Sequence, residues 1–262
     1  MKTAILGTGN IGTAIAQGLL KGTLTAPEDL ICTVRSPASL ERLRQILPET
    51  VRLSHDNVEA VRQSRLVFLA VKPLLVETVI EEISPYLTSD HLLVSVAAGV
   101  TFEDISGFIG KKGDSISLFR LMPNTALSVS QSVTLLSVRK ISEDSEGFDF
   151  IRHLFDEMGI CFPMPESLMA AGTLLTSAGI AFALRYVRAA TEGGVALGFS
   201  PGIAKQLVIY TVFGALGLLL AHGSHPEEEI DKVTSPGGIT IRGLNAMEEA
   251  GFTAAVLAGL RL

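Results

Sequence analysis

With 262 residues, the chain is long enough to form two domains of ordinary size. Apolar residues make up 47% and charged residues 18%, a balance that supplies a large core and excludes an intrinsically disordered chain. The net charge is −6 and no basic stripe is present, which argues against a nucleic-acid partner.

The first predicted elements are a strand and a helix joined by a glycine-rich turn. Residues 1–6 form a short apolar run, within which residues 3–6 are predicted to form a buried parallel strand. Helical spacing follows over residues 10–21. The turn between them reads Gly7-Thr8-Gly9-Asn10-Ile11-Gly12, a GxGxxG motif. A strand before this motif and a helix after it indicate a dinucleotide-binding fingerprint. In such a fingerprint Gly7 permits the tight turn, Gly9 admits a pyrophosphate and Gly12 packs the helix on the strand. The helix N-terminus then attracts the phosphates.

The second predicted strand indicates which dinucleotide is bound. Residues 30–34 form an apolar run that ends in Arg35-Ser36. An NAD-binding protein usually carries an acidic residue here, about 20 residues after the fingerprint, where it binds the ribose 2′-hydroxyl. A guanidinium and a hydroxyl stand in its place, and both can hydrogen-bond a 2′-phosphate. The expected cofactor is therefore NADP(H), with NAD(H) as the alternative.

Strands and helices continue to alternate up to about residue 160. The other predicted strands span residues 66–70, 92–95, 117–122, 134–137 and 161–163, and the other predicted helices span 40–47, 57–64, 74–83, 101–109 and 143–158. This alternation predicts βαβ units and a mostly parallel, doubly wound α/β sheet of the Rossmann type over residues 1–163. Because ligands of such sheets bind at the carboxyl ends of the strands, the loops that follow the strands are the expected site.

Beyond the last predicted strand the pattern becomes helical, and residues 164–262 are assigned to a second, all-α domain. Its predicted helices span 168–197, 201–222, 226–233, 238–250 and 253–260; only 14 of the last 102 residues are charged, against 34 of the first 160. Two uncharged stretches approach membrane-spanning length, but their Gly, Ser, Thr and His residues favour buried helices over a bilayer. We expect this domain to bury its apolar surface against a second copy of the chain, in an obligate homodimer.

Five motifs together resemble those of the pyrroline-5-carboxylate reductases in order and in spacing. They are the fingerprint, Ala70-Val71-Lys72-Pro73, Val96-Ala97-Ala98-Gly99, Met122-Pro123-Asn124-Thr125 and Thr234-Ser235-Pro236-Gly237-Gly238-Ile239-Thr240. The last of these is the most family-specific, and the similarity covers essentially the whole chain. The resemblance implies reduction of 1-pyrroline-5-carboxylate to L-proline with NAD(P)H, the last step of proline biosynthesis. It also implies a helical dimerisation domain, an active site built between two subunits and, commonly, a ring of five dimers.

The resemblance also implies roles for individual residues. Those implied to bind the cofactor are Gly7, Thr8, Gly9, Asn10, Ile11, Gly12, Arg35, Ser36, Asn57, Ala70, Val71, Lys72, Pro73, Ala97, Ala98, Gly99 and Asn124. Those implied to bind the substrate are Glu166, Thr176, Ser235, Gly237, Gly238, Ile239 and Thr240. The turn before Thr240 opens a helix, whose free N–H groups suit the substrate carboxylate. Thr240 is the catalytic candidate: its hydroxyl would position the ring nitrogen by a hydrogen bond, since threonine is too weak an acid to protonate an imine.

Three departures from the family pattern bear on the substrate. An SGSGPA-like loop of the family reads Thr176-Ser177-Ala178-Gly179-Ile180-Ala181 here, without one serine and the proline. Lys232 stands where the family has an asparagine, eight residues before Thr240, and the NTP motif becomes Asn124-Thr125-Ala126. These changes leave the cofactor residues intact.

Alternative functions share parts of this sequence pattern. A β-hydroxyacid dehydrogenase-type enzyme needs a catalytic lysine in the helical domain, and Lys205 has a poorly matching setting. Another cyclic-imine reductase and a non-catalytic NADPH-binding protein remain open as functions.

No metal-ligand spacing is found, so no metal is expected. Cys32 and Cys161 lie in apolar contexts and no secretory leader is recognised, so we expect reduced thiols in a cytoplasmic protein with no membrane partner.

Overall fold

The computed structural model describes residues 1–139 and 145–261. The chain divides into two compact units, Met1–Ser177 and Ala178–Leu262. The last strand ends at Pro163, the residue after which the second domain is predicted to begin. The first unit holds a single eight-stranded sheet, and the described part of the second unit is helical.

The first unit is a mostly parallel sheet. Its strands are β1 (Thr3–Leu6), β2 (Leu30–Thr33), β3 (Arg52–Ser54), β4 (Leu66–Leu69), β5 (Leu92–Ser95), β6 (Ser117–Met122), β7 (Ser132–Val138) and β8 (Gly159–Pro163). Their spatial order is β3-β2-β1-β4-β5-β6-β7-β8, and each neighbouring pair is parallel except β6 and β7. The predicted doubly wound sheet is confirmed. Strand β3, which the sequence pattern does not predict, is a three-residue edge strand with an exposed arginine.

Helices flank this sheet. They are α1 (Asn10–Lys21), α2 (Pro37–Arg44), α3 (Asn57–Arg62), α4 (Val76–Ile83), α5 (Phe102–Ile109), α6 (Ser145–Asp156) and α7 (Met169–Thr173). The helix predicted over 143–158 begins with two residues outside the described part of the chain. Helix α5 begins at a capping box, in which the Thr101 hydroxyl accepts from the Asp104 N–H and the Asp104 carboxylate accepts from the Thr101 N–H.

Alternating side chains of the strands build a core on each face of the sheet. On β1, Ile5 points to the face covered by α1 and α6, whereas Ala4 and Leu6 point to the face covered by α3, α4 and α5. Phe68 and Phe155 are fully buried on the first face, with ring centroids 6.0 Å apart. Strands buried on both faces read as continuous apolar runs, which is why their positions are predictable from sequence. The two cores fix the carboxyl ends of β1, β4 and β5.

The described part of the second unit is built from helices, of which the first two are long and apolar. The helices are α8 (Gly179–Ala196), α9 (Pro201–His222), α10 (Pro226–Lys232), α11 (Ile239–Glu249) and α12 (Phe252–Gly259). The single helix predicted over 168–197 is instead interrupted by a π-helical turn, Leu174–Ala178. Among the described residues of this unit, only Ala204 is fully buried, and α9 exposes Phe213 and Leu220 by 74% and 86%. A helix that is apolar on all sides is typical of a buried position, so α9 is expected to pack against another protein surface.

Two segments, Glu166–Ala196 and Pro201–His222, are long and apolar enough to cross a membrane by length and composition alone. The first segment runs from the end of the first unit into the second, and the second segment lies within the second unit. A helix that packs against a second subunit would show the same apolar surface in a single subunit as a helix that crosses a membrane.

Candidate active site

The glycine-rich turn after β1 has the geometry that the fingerprint requires. Gly7 adopts φ +80°, and a Cβ there would overlap Cγ1 of Val71 and lie 3.1 Å from the Val71 backbone nitrogen. The turn is closed by the Gly9 N–H, which donates to the Gly7 carbonyl oxygen at 2.7 Å, and by the Thr8 N–H, which donates to the Thr33 carbonyl oxygen at 2.7 Å. The Thr8 side chain is buried and donates to the Ile5 carbonyl oxygen at 3.2 Å. Only glycine can occupy position 7 without displacing this loop.

Helix α1 presents an open N-terminus above the turn. A Cβ built on Gly12 would lie 3.2 Å from the Cβ of Ala70 and from Cγ2 of Ile5, so the helix packs directly on β1 and on the residue that follows β4. A Cβ on Gly9 would meet no atom closer than 3.9 Å, which leaves space over the turn. No side chain caps the first turn of α1, which starts at the exposed Asn10. Its free N–H groups therefore offer an anion site.

A polar chain runs from β2 to α3 beside the turn. The Thr33 hydroxyl donates to Oδ1 of Asn57 at 2.6 Å, and Nδ2 of Asn57 donates to Oε2 of Glu82 at 2.9 Å. The Thr33 Oγ1 also accepts from the Gly7 N–H at 3.3 Å. Asn57 is thus held at the edge of the fingerprint.

Three polar side chains follow β2. Arg35 is exposed and makes no hydrogen bond or ion pair with the described residues. Ser36 caps α2: its hydroxyl oxygen accepts from the Ser39 N–H at 3.2 Å. Arg42, which the sequence pattern does not single out, reaches back from α2 and donates to the Thr8 carbonyl oxygen at 3.4 Å. The two guanidinium groups give this end of the sheet a positive charge.

The loops after β4 and β5 carry the other predicted cofactor residues. Lys72 and Pro73 are exposed and open a short 3₁₀ helix, Pro73–Leu75. Ala97 is buried and its N–H donates to the Ser95 hydroxyl at 3.3 Å, whereas Ala98 and Gly99 are exposed. Small residues at the carboxyl ends of these strands leave room for a flat ring.

Asn124 after β6 holds the π-helical turn. Its Oδ1 accepts from the Ala126 N–H at 3.1 Å, and its Nδ2 donates to the Thr176 carbonyl oxygen at 3.0 Å. The Thr176 hydroxyl donates to the Gly172 carbonyl oxygen at 3.0 Å. A π-helical turn frees a backbone carbonyl that needs a donor, and π turns are frequent at functional sites. Both ends of the buried Asn124 amide are therefore engaged within the protein.

Glu166 forms an ion pair. Its Oε1 accepts from Nη1 of Arg120 at 2.6 Å and from the Phe102 N–H at 2.7 Å. Arg120 lies on β6 and was not among the predicted site residues, although a charge within a buried strand is a readable signal. Glu166 also lines an open cavity of about 1120 Å³ between α5 and β7.

In the second unit, the predicted substrate turn opens α11. The Gly238 N–H donates to the Ser235 carbonyl oxygen at 2.9 Å, and α11 begins at the exposed Ile239 with no side-chain cap. Thr240 is the second residue of the helix and is half-buried. Ser235 and Gly237 are exposed. The first-turn N–H groups and the Thr240 hydroxyl thus share one helix end, which suits a carboxylate ligand.

Comparison with known proteins identifies the family. Residues 2–99 match the family model described as NADP oxidoreductase, coenzyme F420-dependent, and residues 166–261 match the model described as pyrroline-5-carboxylate reductase dimerisation. The pyrroline-5-carboxylate reductase of Methanosarcina acetivorans is 34% identical over 259 residues, covering 98% of this chain and 93% of the relative. The chain belongs to the pyrroline-5-carboxylate reductase family.

Two further relatives support this assignment. The crystal structure of pyrroline carboxylate reductase from Plasmodium falciparum with NADP bound superposes with a TM-score of 0.87 at 25% identity, covering 99% of this chain and 94% of that one. Pyrroline-5-carboxylate reductase 1 of Dictyostelium discoideum is 34% identical over 98% of this chain, which spans 47% of the length of that relative.

Lys232, a departure from the family pattern, forms an ion pair with a glutamate of the same helix. Its Nζ donates to Oε1 of Glu229 at 2.7 Å, and the same oxygen accepts from the Ser224 hydroxyl at 2.6 Å and lies 3.1 Å from Nδ1 of His222. These hydrogen bonds, that of Lys232 first, lower the pKa of Glu229 to about 2. Within the described residues, no group of three or more His, Cys, Asp or Glu side chains could hold a metal ion.

Proposed function

We propose that this chain reduces 1-pyrroline-5-carboxylate to L-proline with NADPH, the last step of proline biosynthesis. The observation that carries the proposal is similarity to pyrroline-5-carboxylate reductases along nearly the whole chain, with 34% identity to the Methanosarcina acetivorans protein. As a member of this family, the protein is an oxidoreductase that acts on a C=N bond with NAD(P)H.

The residues of the first unit fit NADP(H). The space over Gly9 and the uncapped start of α1 suit a pyrophosphate, and Arg35 carries a free guanidinium where a 2′-phosphate would lie. Arg42, beside the Thr8 carbonyl oxygen, adds a second positive charge there. The small residues Ala97 and Ala98 suit the nicotinamide. When bound, NADPH supplies the hydride.

The substrate is a small cyclic imine with one carboxylate. The uncapped N–H groups at the start of α11 favour that carboxylate by hydrogen bonding and by the helix dipole. Thr240 carries its hydroxyl in the first turn of the same helix, and in this proposal the hydroxyl hydrogen-bonds the ring nitrogen of the substrate. Its role is to orient the imine and to stabilise the amine as it forms, while the proton on nitrogen comes from water or from the substrate itself.

The dimerisation domain provides self-association, and the exposed apolar helix α9 suits an obligate homodimer in which each active site uses two subunits. The dimers are proposed to assemble further into a ring of five, an assembly that is common in the family. The protein is expected in the cytoplasm, without nucleic-acid or membrane partners.

Thr240 gives the sharpest test of this proposal. If its hydroxyl binds the reacting nitrogen more tightly as the imine becomes an amine, Thr240→Ala lowers kcat by about 10- to 1,000-fold and changes KM less. Thr240→Ser keeps the hydroxyl and most of the activity. Steady-state kinetics with purified pyrroline-5-carboxylate measure both. Parent-like turnover by the alanine variant would remove Thr240 from the mechanism.

A panel of substrates separates the alternative functions. Oxidation of NADPH is followed with pyrroline-5-carboxylate and with pyrroline-2-carboxylate. Reduction of NADP⁺ is followed with 3-hydroxyisobutyrate. The proposal requires the highest kcat/KM for pyrroline-5-carboxylate. A preference for pyrroline-2-carboxylate indicates another cyclic-imine reductase, turnover of the hydroxyacid indicates a dehydrogenase, and NADPH binding without turnover indicates a binding protein.

A further inference from the structure

Arg120 is a buried cation in the middle of the sheet. Arg120 lies on β6 and is 6% exposed. Its Nη1 donates to Oε1 of Glu166 at 2.6 Å. Its Nε is buried and has no hydrogen-bond partner among the described residues. Burying an ion pair generally costs as much free energy as the pair returns, and apolar residues of similar volume often serve stability as well. Arg120 is buried while the Glu166 side chain is 31% exposed, so the pair calls for a role besides stability.

The contacts of Glu166 supply one. The oxygen that accepts from Arg120 also accepts from the Phe102 N–H at 2.7 Å, and the Arg120 guanidinium carbon lies 6.0 Å from the centroid of the Phe102 ring. Phe102 is the first residue of α5, where backbone N–H groups lack partners within the helix. Glu166 and Arg120 thus fix the first residue of α5 through its backbone and its side chain.

The start of α5 lies next to the loop of Ala97, Ala98 and Gly99, here called the 97–99 loop. Only Val100 and Thr101 separate this loop from Phe102. Its other end is held on β5, where the Ser95 hydroxyl accepts from the Ala97 N–H. The 97–99 loop is therefore anchored on one side by the sheet and on the other by the Arg120–Glu166 pair.

We infer that Arg120 and Glu166 are positioning residues for the reduction: through Phe102 they hold the 97–99 loop in the place where it packs against the nicotinamide ring. This inference rests on the proposed function for its kinetic consequences. It reassigns Glu166, predicted from the resemblance to bind substrate, to a role exerted through the backbone of α5. Misplacing a reacting group by about 1 Å can cost about 100-fold in rate, so the effect falls on kcat.

The test compares Glu166→Ala and Glu166→Gln with the parent enzyme. Glu166→Ala should lower kcat by about 10- to 100-fold, change the Kd for NADPH by less than about threefold, and increase the isotope effect measured with NADPH deuterated at the transferred hydrogen. Glu166→Gln keeps an oxygen that accepts from the Phe102 N–H and should recover part of kcat. Asp114→Ala, which removes the exposed ion pair with Arg139, is the matched control and should leave all three values unchanged.

Fluorescence of bound NADPH gives a readout that does not depend on turnover. The chain has no tryptophan, and a ring that has lost its packing emits more like free NADPH. Glu166→Ala with parent-like kcat, isotope effect and emission would overturn the inference. A parent that binds NADPH but does not reduce pyrroline-5-carboxylate would refute the proposed function alone, and the emission would still decide the role of Glu166.

A double variant covers the case in which one unpaired buried charge prevents folding. Arg120→Met with Glu166→Leu removes both charges and retains apolar volume, so it is expected to fold. The inference requires it to show the reduced kcat and the altered emission of Glu166→Ala. A well-folded double variant with parent-like values for both would overturn it.

Discussion

Replacing Gly7 by alanine tests whether the turn after β1 is built as described. Gly7 has φ +80°, a left-handed conformation that costs a residue with a Cβ about 1–2 kcal/mol. The new Cβ would also overlap Cγ1 of Val71 and approach the Val71 backbone to 3.1 Å, and overpacking of this kind costs about 1–3 kcal/mol. We expect Gly7→Ala to lower the free energy of unfolding by about 2–5 kcal/mol. The Kd for NADPH should rise, because the displaced loop closes the space over Gly9.

The two contributions can be separated by a second substitution. Val71→Ala in the Gly7→Ala background removes Cγ1 and should recover most of the overlap cost but none of the backbone strain. The matched control is Gly107→Ala within α5, where a new Cβ would have no neighbour within 4 Å. Because alanine favours a helix over glycine, this control should stabilise the protein by about 0.5–1 kcal/mol.

Urea unfolding followed by circular dichroism measures these differences, and titration of NADPH fluorescence measures the Kd. All variants are compared at one protomer concentration, since self-association contributes to apparent stability. A Gly7→Ala protein with the stability and the NADPH affinity of the parent would refute the described geometry of the fingerprint.

Three other outcomes are expected. Arg35→Ala should raise KM for NADPH and leave KM for NADH almost unchanged; equal losses with both cofactors would contradict a 2′-phosphate contact. Sedimentation of the parent should detect no monomer at nanomolar concentration, whereas Phe213→Glu, on exposed α9, should release inactive monomers; a stable, active monomer would exclude a shared site. Burial raises the pKa of the Cys32 and Cys161 thiols from 9.0 to about 12, so they remain protonated in the folded protein while the unfolded chain ionises above pH 9. Stability that is complete below pH 9 should therefore fall as the pH rises toward 12, and less steeply in Cys32→Ala.

Buried strands and the glycine fingerprint were predictable because their signals are local. Strands β1, β5 and β6 have the predicted bounds, since each is a continuous apolar run of strand length between loops. Strand β3 escaped prediction because three residues at a sheet edge need little apolar character. The π-helical turn Leu174–Ala178 was predicted as ordinary helix, because apolar spacing does not distinguish an i+5 turn from an i+4 turn.

Long-range hydrogen bonds at the candidate site could not be predicted in this way. Glu166 is 46 residues from Arg120 and 64 residues from Phe102 along the chain, and Asn124 is 52 residues from Thr176. The roles first assigned to Glu166 and Asn124 came from resemblance, and the resemblance carried no information about which side chains in this protein engage them.

The sequence by itself determined the alternation of buried strands and helices, the fingerprint and the lack of an acid after β2. It also determined that a charge-poor helical domain needs an apolar partner. All of these depend on composition or on spacing over a few residues, which a linear pattern records. Only the tertiary structure decided that one carboxylate oxygen of Glu166 joins β6 to the first residue of α5, and that the Asn124 amide supports the π-helical turn. The physical reason is that a hydrogen bond depends on the distance between two atoms, and only the folded sheet brings atoms from distant segments within 3 Å of each other.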